Sequence, residues 1–171
     1  GRVGFCIYNL PTGLGEPLFN KSQAVLGHAL LSLPAVKGFE LGEGFQSSLM
    51  KGSVYNDVFV KDEGKVVTKT NHQGGMQAGV TNGMPVWGQV AFKPISSIKR
   101  PQETLNMQGD SVTAEVSKKS RHDPCTVIRA VPIVRSMCAL AIADLLLCNM
   151  SSKLSSVENL YLKGSQLAMK S

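Results

Sequence analysis

The chain has 171 residues, 43% of them hydrophobic, and a formal net charge of +6. That length supports one ordinary core and gives no case for two domains. Its four cysteines, at 6, 125, 138 and 148, form neither a C-x-x-C pair nor a dense framework, which argues against a zinc ribbon and against a disulfide-stapled secreted module. Between Lys93 and Arg135 there are eight basic and four acidic residues, so +4 of the +6 falls in one quarter of the chain. A local anion site is favoured over a diffuse basic surface. None of the ten aromatics is interleaved with a run of Lys or Arg, so a stacking platform for nucleic acid is the weaker reading. The opening GRVGFCIYNL lacks a basic region followed by a long apolar one and is not read as a signal peptide, which leaves a cytoplasmic setting as the expectation.

Val3 to Tyr8 reads as a short strand, and PTGLGEP after it as a turn fixed by two glycines and two prolines. Asn20 is placed to cap a helix over 21–33, on which Val25, Leu26, Ala29, Leu30 and Leu33 recur at three- and four-residue spacing until Pro34 ends it. In SLPAVKGFELGEGF, Pro34 and the glycines at 38, 42 and 44 are expected to break any long element. Residues 54–69 alternate around Lys61-Asp62-Glu63-Gly64 and predict a hairpin, with Asp57 just before it. TNHQGGMQAGVTNGMP carries four glycines and two asparagines in sixteen residues, a density that predicts loop with neither helix nor strand.

Val86 to Phe92 predicts a strand with Val86, Val90 and Phe92 on one face. It delivers the chain to KPISSIKRP, where Lys93, Ser96, Ser97, Lys99 and Arg100 combine charge and hydroxyls in a way that suits phosphate. Leu105 to Met107 and Val112 to Val116 predict a second hairpin around Gln108-Gly109-Asp110. Next comes RHDPC, Arg121 to Cys125, set against the most apolar run of the chain. Pro132 sits where a helix can begin, and from Met137 to Cys148 only Asp144 is polar. Twelve such residues are too few to cross a bilayer, so the run predicts a helix buried on most sides, in the core or against another subunit. From about Asn149 the tail is polar and expected to fray.

His122, Asp123 and Cys125 do not form a nucleophilic triad, whose partners meet across space rather than within four consecutive residues. Nor do they make a metal site, since no second His/Cys cluster stands ready to complete the ligands; no metal is expected. GGMQAG lacks the dinucleotide spacing, and His72 beside two glycines reads as a loop histidine.

GLGEP, SLPAVKGFELGEGF, GSVYND, TNHQGG followed by NGMP, FKPISSI, and RHDPCTVIRAVP stand in the order and spacing of one family. The chain resembles chorismate synthase over about residues 11 to 148. The resemblance implies an α/β (α+β) fold, a β-α-β sandwich assembled as a homotetramer. It implies elimination of phosphate from 5-enolpyruvylshikimate 3-phosphate to give chorismate, within the shikimate pathway, with reduced FMN required although no net redox change occurs. Electron donation from the flavin would help the phosphate leave, and the protein would supply orientation and electrostatics. Carried over by motif, the flavin-contacting positions fall on Pro34, Ala35, Ala78, Lys93, Pro94, Ile95, Ser96, Ser97 and Arg121. Asp123 matches the residue implied in proton exchange near the flavin, and Arg129 a further motif arginine. The sequence departs from the family where Ala78 replaces a glycine, Ile95 a threonine and Arg135 a glutamate.

The family's S-H-G motif, its second catalytic histidine and its S-A-R flavin motif are not in the chain. Residues 1–148 are therefore expected to be the C-terminal portion of a chorismate synthase domain, with 149–171 a tail, inactive on its own. The rival readings are a non-catalytic flavin- or anion-binding module of the same descent and, more weakly, a basic nucleic-acid-binding domain.

Overall fold

The computed structural model describes residues 1–117, 121 and 125–168, with the helical backbone alone over 163–168. The chain is mixed α/β. Its centre is β7 (Val86–Phe92), which pairs antiparallel with β1 (Arg2–Ile7) on one side and β2 (Val36–Leu41) on the other. Along β7 the alternation is complete, with Val86, Gly88, Val90 and Phe92 all buried, as the sequence predicts. Period-two alternation puts one face on the core. That face lies on α1 (Ser22–Leu31) and α3 (Val127–Ser151), where Leu26, Leu30, Val134 and Cys138 complete the hydrophobic cluster. Burial pushes the Cys138 thiol up to about 11.

Gly88 is required by close approach: a Cβ there would run into the Glu40 carbonyl oxygen and the ring of Phe5. Backbone cannot yield as a flexible side chain can, so the ladder on both sides of β7 depends on this glycine.

Several expectations are corrected. The Gly-rich stretch after Pro34 holds β2, because pairing with β7 outweighs the low strand preference of its glycine, at the cost of a register shift between Val36 and Gly38. Asn20 does not cap α1; Lys21 occupies the cap position without a side-chain bond, and the Asn20 carbonyl accepts the Glu16 N–H instead. The sixteen-residue glycine loop contains a small hairpin, β5 (Met76–Gln77) and β6 (Val80–Thr81), whose Ala78 and Gly79 both take positive φ. That is the backbone a two-residue hairpin turn needs. The hairpin of β3 (Phe59–Asp62) and β4 (Lys65–Thr68) turns through Glu63 and Gly64 as expected. The second hairpin pairs β8 (Gln102–Leu105) with β9 (Ser111–Ala114), a few residues earlier than the pattern suggested.

The long helix differs most. It begins at Val127, five residues before Pro132, which lies inside it. Proline forfeits one backbone bond near the start, while the apolar stripe below continues through it. Ala130, Val134, Cys138, Ala141, Ile142 and Leu145 are buried, but Val131, Leu140 and Leu147 are more than half exposed, so the helix is buried along one stripe and not on most sides. At 25 residues it is long and apolar enough to cross a membrane by length and composition alone. Its stripe packs on α1 and β1, as a core helix does. The tail does not fray directly after Asn149: α4 (Leu154–Ala168) forms a further, largely exposed helix directly after α3. A short 3-10 helix (Gly44–Leu49) and α2 (Gly52–Tyr55) connect β2 to the first hairpin.

Candidate functional site

The residues singled out by motif fall in two places. At the end of β7, Lys93 N–H donates to the Ala35 carbonyl at 2.9 Å, which draws the turn after α1 against the strand end. Ala35 holds φ +68, a left-handed conformation that non-glycine residues adopt only where surrounding structure imposes it. Pro34, Lys93, Pro94, Ser96 and Ser97 are exposed and Ile95 is half-buried. The strand end therefore offers an ammonium and two hydroxyls to solvent beside a fixed carbonyl turn. Arg121 is exposed as well, and no hydrogen bond among the described residues joins it to 93–97. Asp123 lies outside the described residues, as does His122.

Ala78 is elsewhere. Its turn is held at the opposite end of α1, where the Gly79 carbonyl accepts the Ser22 backbone N–H at 2.8 Å and the Ser22 hydroxyl at 3.1 Å. Ten residues of helix at 1.5 Å each separate Ser22 from the Pro34-Ala35 turn by about 15 Å. Ala78 itself, φ +51, is exposed on the rim of a cavity of about 510 Å3 with Thr12, Phe59, Val66, Gln77 and Asn82. The structure thus brings together Pro34, Ala35 and Lys93 and places Ala78 apart from them.

Buried polar side chains fix both loops. Thr81, fully buried, donates its hydroxyl to the Pro11 carbonyl at 2.6 Å and accepts the Leu14 N–H at 3.0 Å, tying PTGLG to β6. Asn149 near the end of α3 donates to the Gly13 carbonyl at 3.0 Å, which closes the same turn from the helix side. Asp57, 2% exposed, accepts the Thr70 hydroxyl at 2.7 Å and the backbone N–H groups of His72 and Gln73 at 2.9 and 2.8 Å. Asn71 extends the brace, donating to the Pro85 carbonyl and accepting from Gly75 N–H and, through its carbonyl, from the Trp87 indole.

His72 faces Glu43, Nδ1 to Oε1 3.2 Å, and its ring lies over that of Tyr55 at 6.3 Å between centroids. Burial first, then the charges of Asp57 and Glu43, holds the Tyr55 phenol above its ordinary value. Neither the Asp57 brace nor the pairing of His72 with Glu43 is marked by a local sequence pattern. The signal available was a carboxylate 13 to 16 residues ahead of a Thr-Asn-His-Gln run, and nothing in the chain between marks the two as partners.

For Asp57, burial alone would raise the carboxyl, but the Gln73 N–H, the Thr70 hydroxyl and the His72 N–H outweigh it and hold it below the usual carboxylate value. A depressed folded-state value means that the stabilisation is complete above the unfolded value, about 4, and is lost as pH falls through the folded one.

The comparisons with known proteins agree with one another. The family profile described as Chorismate synthase matches residues 1–147. A curated relative named Chorismate synthase from Christiangramia forsetii is 52% identical over 154 residues, covering 90% of this chain and 42% of its own length. One from Opitutus terrae is 49% identical over 144 residues, covering 84% and 39%. Among solved structures, one titled Crystal Structure of Chorismate Synthase superposes with a TM-score of 0.70 at 28% identity, over 88% of this chain and 38% of that one. The chain spans about 40% of the length of the relatives it matches.

Replacing Asp57 by Asn keeps the size but removes the charge that two amides and a hydroxyl are aimed at. The expected cost is about 1.5–3 kcal/mol at pH 7 in chemical denaturation. Below about pH 4 the parent should lose stability more steeply than Asp57→Asn. Equal acid slopes for the two would remove Asp57 from the brace.

Proposed function

The chain belongs to the chorismate synthase family, and on that premise we propose that it forms part of a chorismate synthase, a lyase that eliminates phosphate from 5-enolpyruvylshikimate 3-phosphate to give chorismate. The observation that carries this reading is the family match across residues 1–147. The setting is cytoplasmic and biosynthetic, within the shikimate pathway and aromatic amino acid biosynthesis. The family-length assembly is a homotetramer without nucleic-acid or membrane partners.

The donor set fits an anionic, phosphate-bearing flavin. Lys93, Ser96 and Ser97 are exposed just past a strand end whose Lys93 N–H is held by the Ala35 carbonyl, so the ammonium and both hydroxyls are open to an anionic group. Pro34, Pro94 and Ile95 border them with little polar surface, and Ile95 in place of threonine is tolerable where the contact comes from backbone. Arg121 supplies a further fixed positive charge. Ala78 would approach a ligand through the exposed outer side of its turn, and its positive φ accounts for the family's glycine there. Reduced FMN, when bound, supplies the electron density that helps phosphate depart. Asp123 is assigned a proton-transfer role by motif alone, and Arg129 matches a further motif arginine. Arg135, exposed on α3, reverses the family's charge at that point.

By itself the 171-residue chain is not a catalyst, because the family's catalytic histidine motifs are not in it. The test is a chimaera in which this chain replaces the matching 42% of the Christiangramia forsetii relative. With reduced FMN the chimaera is expected to form chorismate. A chimaera that binds flavin without turnover would favour the non-catalytic module instead.

Within that chimaera, Arg121→Ala should weaken FMN binding by about tenfold to a hundredfold, the loss of one charge-assisted contact worth about 1.5–3 kcal/mol. An unchanged flavin dissociation constant in a fluorescence titration would remove Arg121 from the site. Asp123→Asn should lower kcat while leaving KM and flavin affinity nearly as they were. Equal losses in binding and rate would assign Asp123 a structural part in the turn.

A further inference from the structure

The two basic segments of the candidate site reach the fold at one residue. Gly1 exchanges two backbone bonds with Phe92, which immediately precedes Lys93: the Gly1 carbonyl accepts the Phe92 N–H at 2.9 Å, and the Gly1 nitrogen donates to the Phe92 carbonyl at 3.1 Å. The pairing carries the β1–β7 ladder one position further. On the open side of Gly1 stands Val127, the first residue of α3, which the chain enters from Arg121. A Cβ on Gly1 would lie 2.5 Å from Val127 Cγ2. Carbon atoms pack at about 3.5–4.0 Å, so Val127 has its seat only because position 1 carries no side chain.

A methyl group at that point has few ways to be absorbed. Gly1 is pinned to Phe92 through both of its backbone polar groups, and a valine in a helix has one strongly preferred rotamer, so neither partner turns aside. Farther along, Ala130, Val134 and Cys138 fix the helix in the core. What yields is the first turn of α3. Its cap residue Thr126 makes no side-chain bond, and the turn is closed by the Ala130 N–H on the Thr126 carbonyl at 3.0 Å. That turn is also where the segment from Arg121 ends, so its position fixes how the segment arrives relative to Lys93, Ser96 and Ser97.

We propose that Gly1 is a positioning residue for the flavin site: by lacking a side chain it lets the first turn of α3 seat on the end of β7, and so sets the spacing between Arg121 and the segment from Lys93 to Ser97. The proposal rests on the family reading above, which supplies the ligand. Gly1 itself touches no ligand; its effect passes through Val127.

The test compares four forms of the chimaera described above: the parent, Gly1→Ala, the double variant Gly1→Ala with Val127→Ala, and Leu145→Ala. The double variant removes the Cγ2 that the new methyl meets, and Leu145→Ala truncates a buried residue at the far end of α3. Without flavin, the Ala130 amide is expected to exchange about tenfold faster in Gly1→Ala and at the parental rate in the double variant, because exchange reports the opening of that turn. With FMN, a fluorescence titration should show affinity about tenfold weaker in Gly1→Ala, restored in the double variant, and unchanged in Leu145→Ala although its core is weakened. Parental Ala130 exchange in Gly1→Ala would overturn the proposal. So would a loss of flavin affinity that Leu145→Ala shares, since it would follow stability and not position, or a loss that the double variant does not restore. A Gly1→Ala chimaera too unstable to measure leaves the double variant to decide, by the same two readings. A parent that binds no flavin contradicts the family reading instead, and the Ala130 amide then decides alone whether Gly1 seats the helix.

Discussion

The fold depends on β7 being paired on both sides while every second residue points into the core. One strand of seven residues thereby fixes the register of β1 and β2, the height of α1 and α3, and the exit point of Lys93. Gly88 is where the constraint is tightest, because the Glu40 carbonyl and the Phe5 ring close over it from the two neighbouring strands. Burying Val86, Val90 and Phe92 against Leu26, Leu30 and Val134 removes large apolar surfaces from water, at about 25 cal/mol for each Å2. The helices themselves lack side-chain caps, so packing on this strand, more than local helix preference, holds them.

The glycine-rich segments are ordered by another means. They place Leu14 and Met76 in the core, and beyond those anchors the polar side chains of Asp57, Asn71 and Thr81 satisfy several of their backbone groups. A buried carboxylate that accepts two amides and a hydroxyl costs stability if any partner is lost, so these loops hold one shape. Ala78 and Ala35 take left-handed conformations at the two ends of α1, the first in a turn tied to Ser22 through the Gly79 carbonyl and the second in a turn tied to the Lys93 N–H. The two turns are separated by α1, which acts as the rigid spacer between them.

Much of this was legible in the sequence where a local pattern carried it. The alternation of Val86, Val90 and Phe92 gave β7, the three- and four-residue spacing of Leu26, Leu30 and Leu33 gave α1, and Asp62-Glu63-Gly64 gave the first hairpin turn. What was illegible came from long-range effects. β2 is a strand because β7 pairs with it, whatever Gly38 prefers. α3 starts at Val127 because its stripe fits the sheet, although Pro132 looked like a beginning. The exposure of Leu140 and Leu147 could not be read from composition, since an apolar run does not say which of its sides is covered. For the candidate site, the motifs single out Lys93 to Ser97 and Ala78 alike, but the distance that separates them belongs to α1 and appears only in three dimensions.

The unifying claim is a hierarchy: a sheet-and-helix core centred on β7, with hairpins and loops hung from its ends. Native-state hydrogen exchange across the whole chain tests it most directly, because each amide reports the free energy of the opening that exposes it. The account predicts that amides of β7 from Trp87 to Val90 open only with global unfolding, while those of β8 and β9, whose residues are all exposed, exchange by local opening at far lower cost. Protection in the β8–β9 hairpin equal to that of β7, or β7 amides that exchange as fast as the hairpin's, would contradict it.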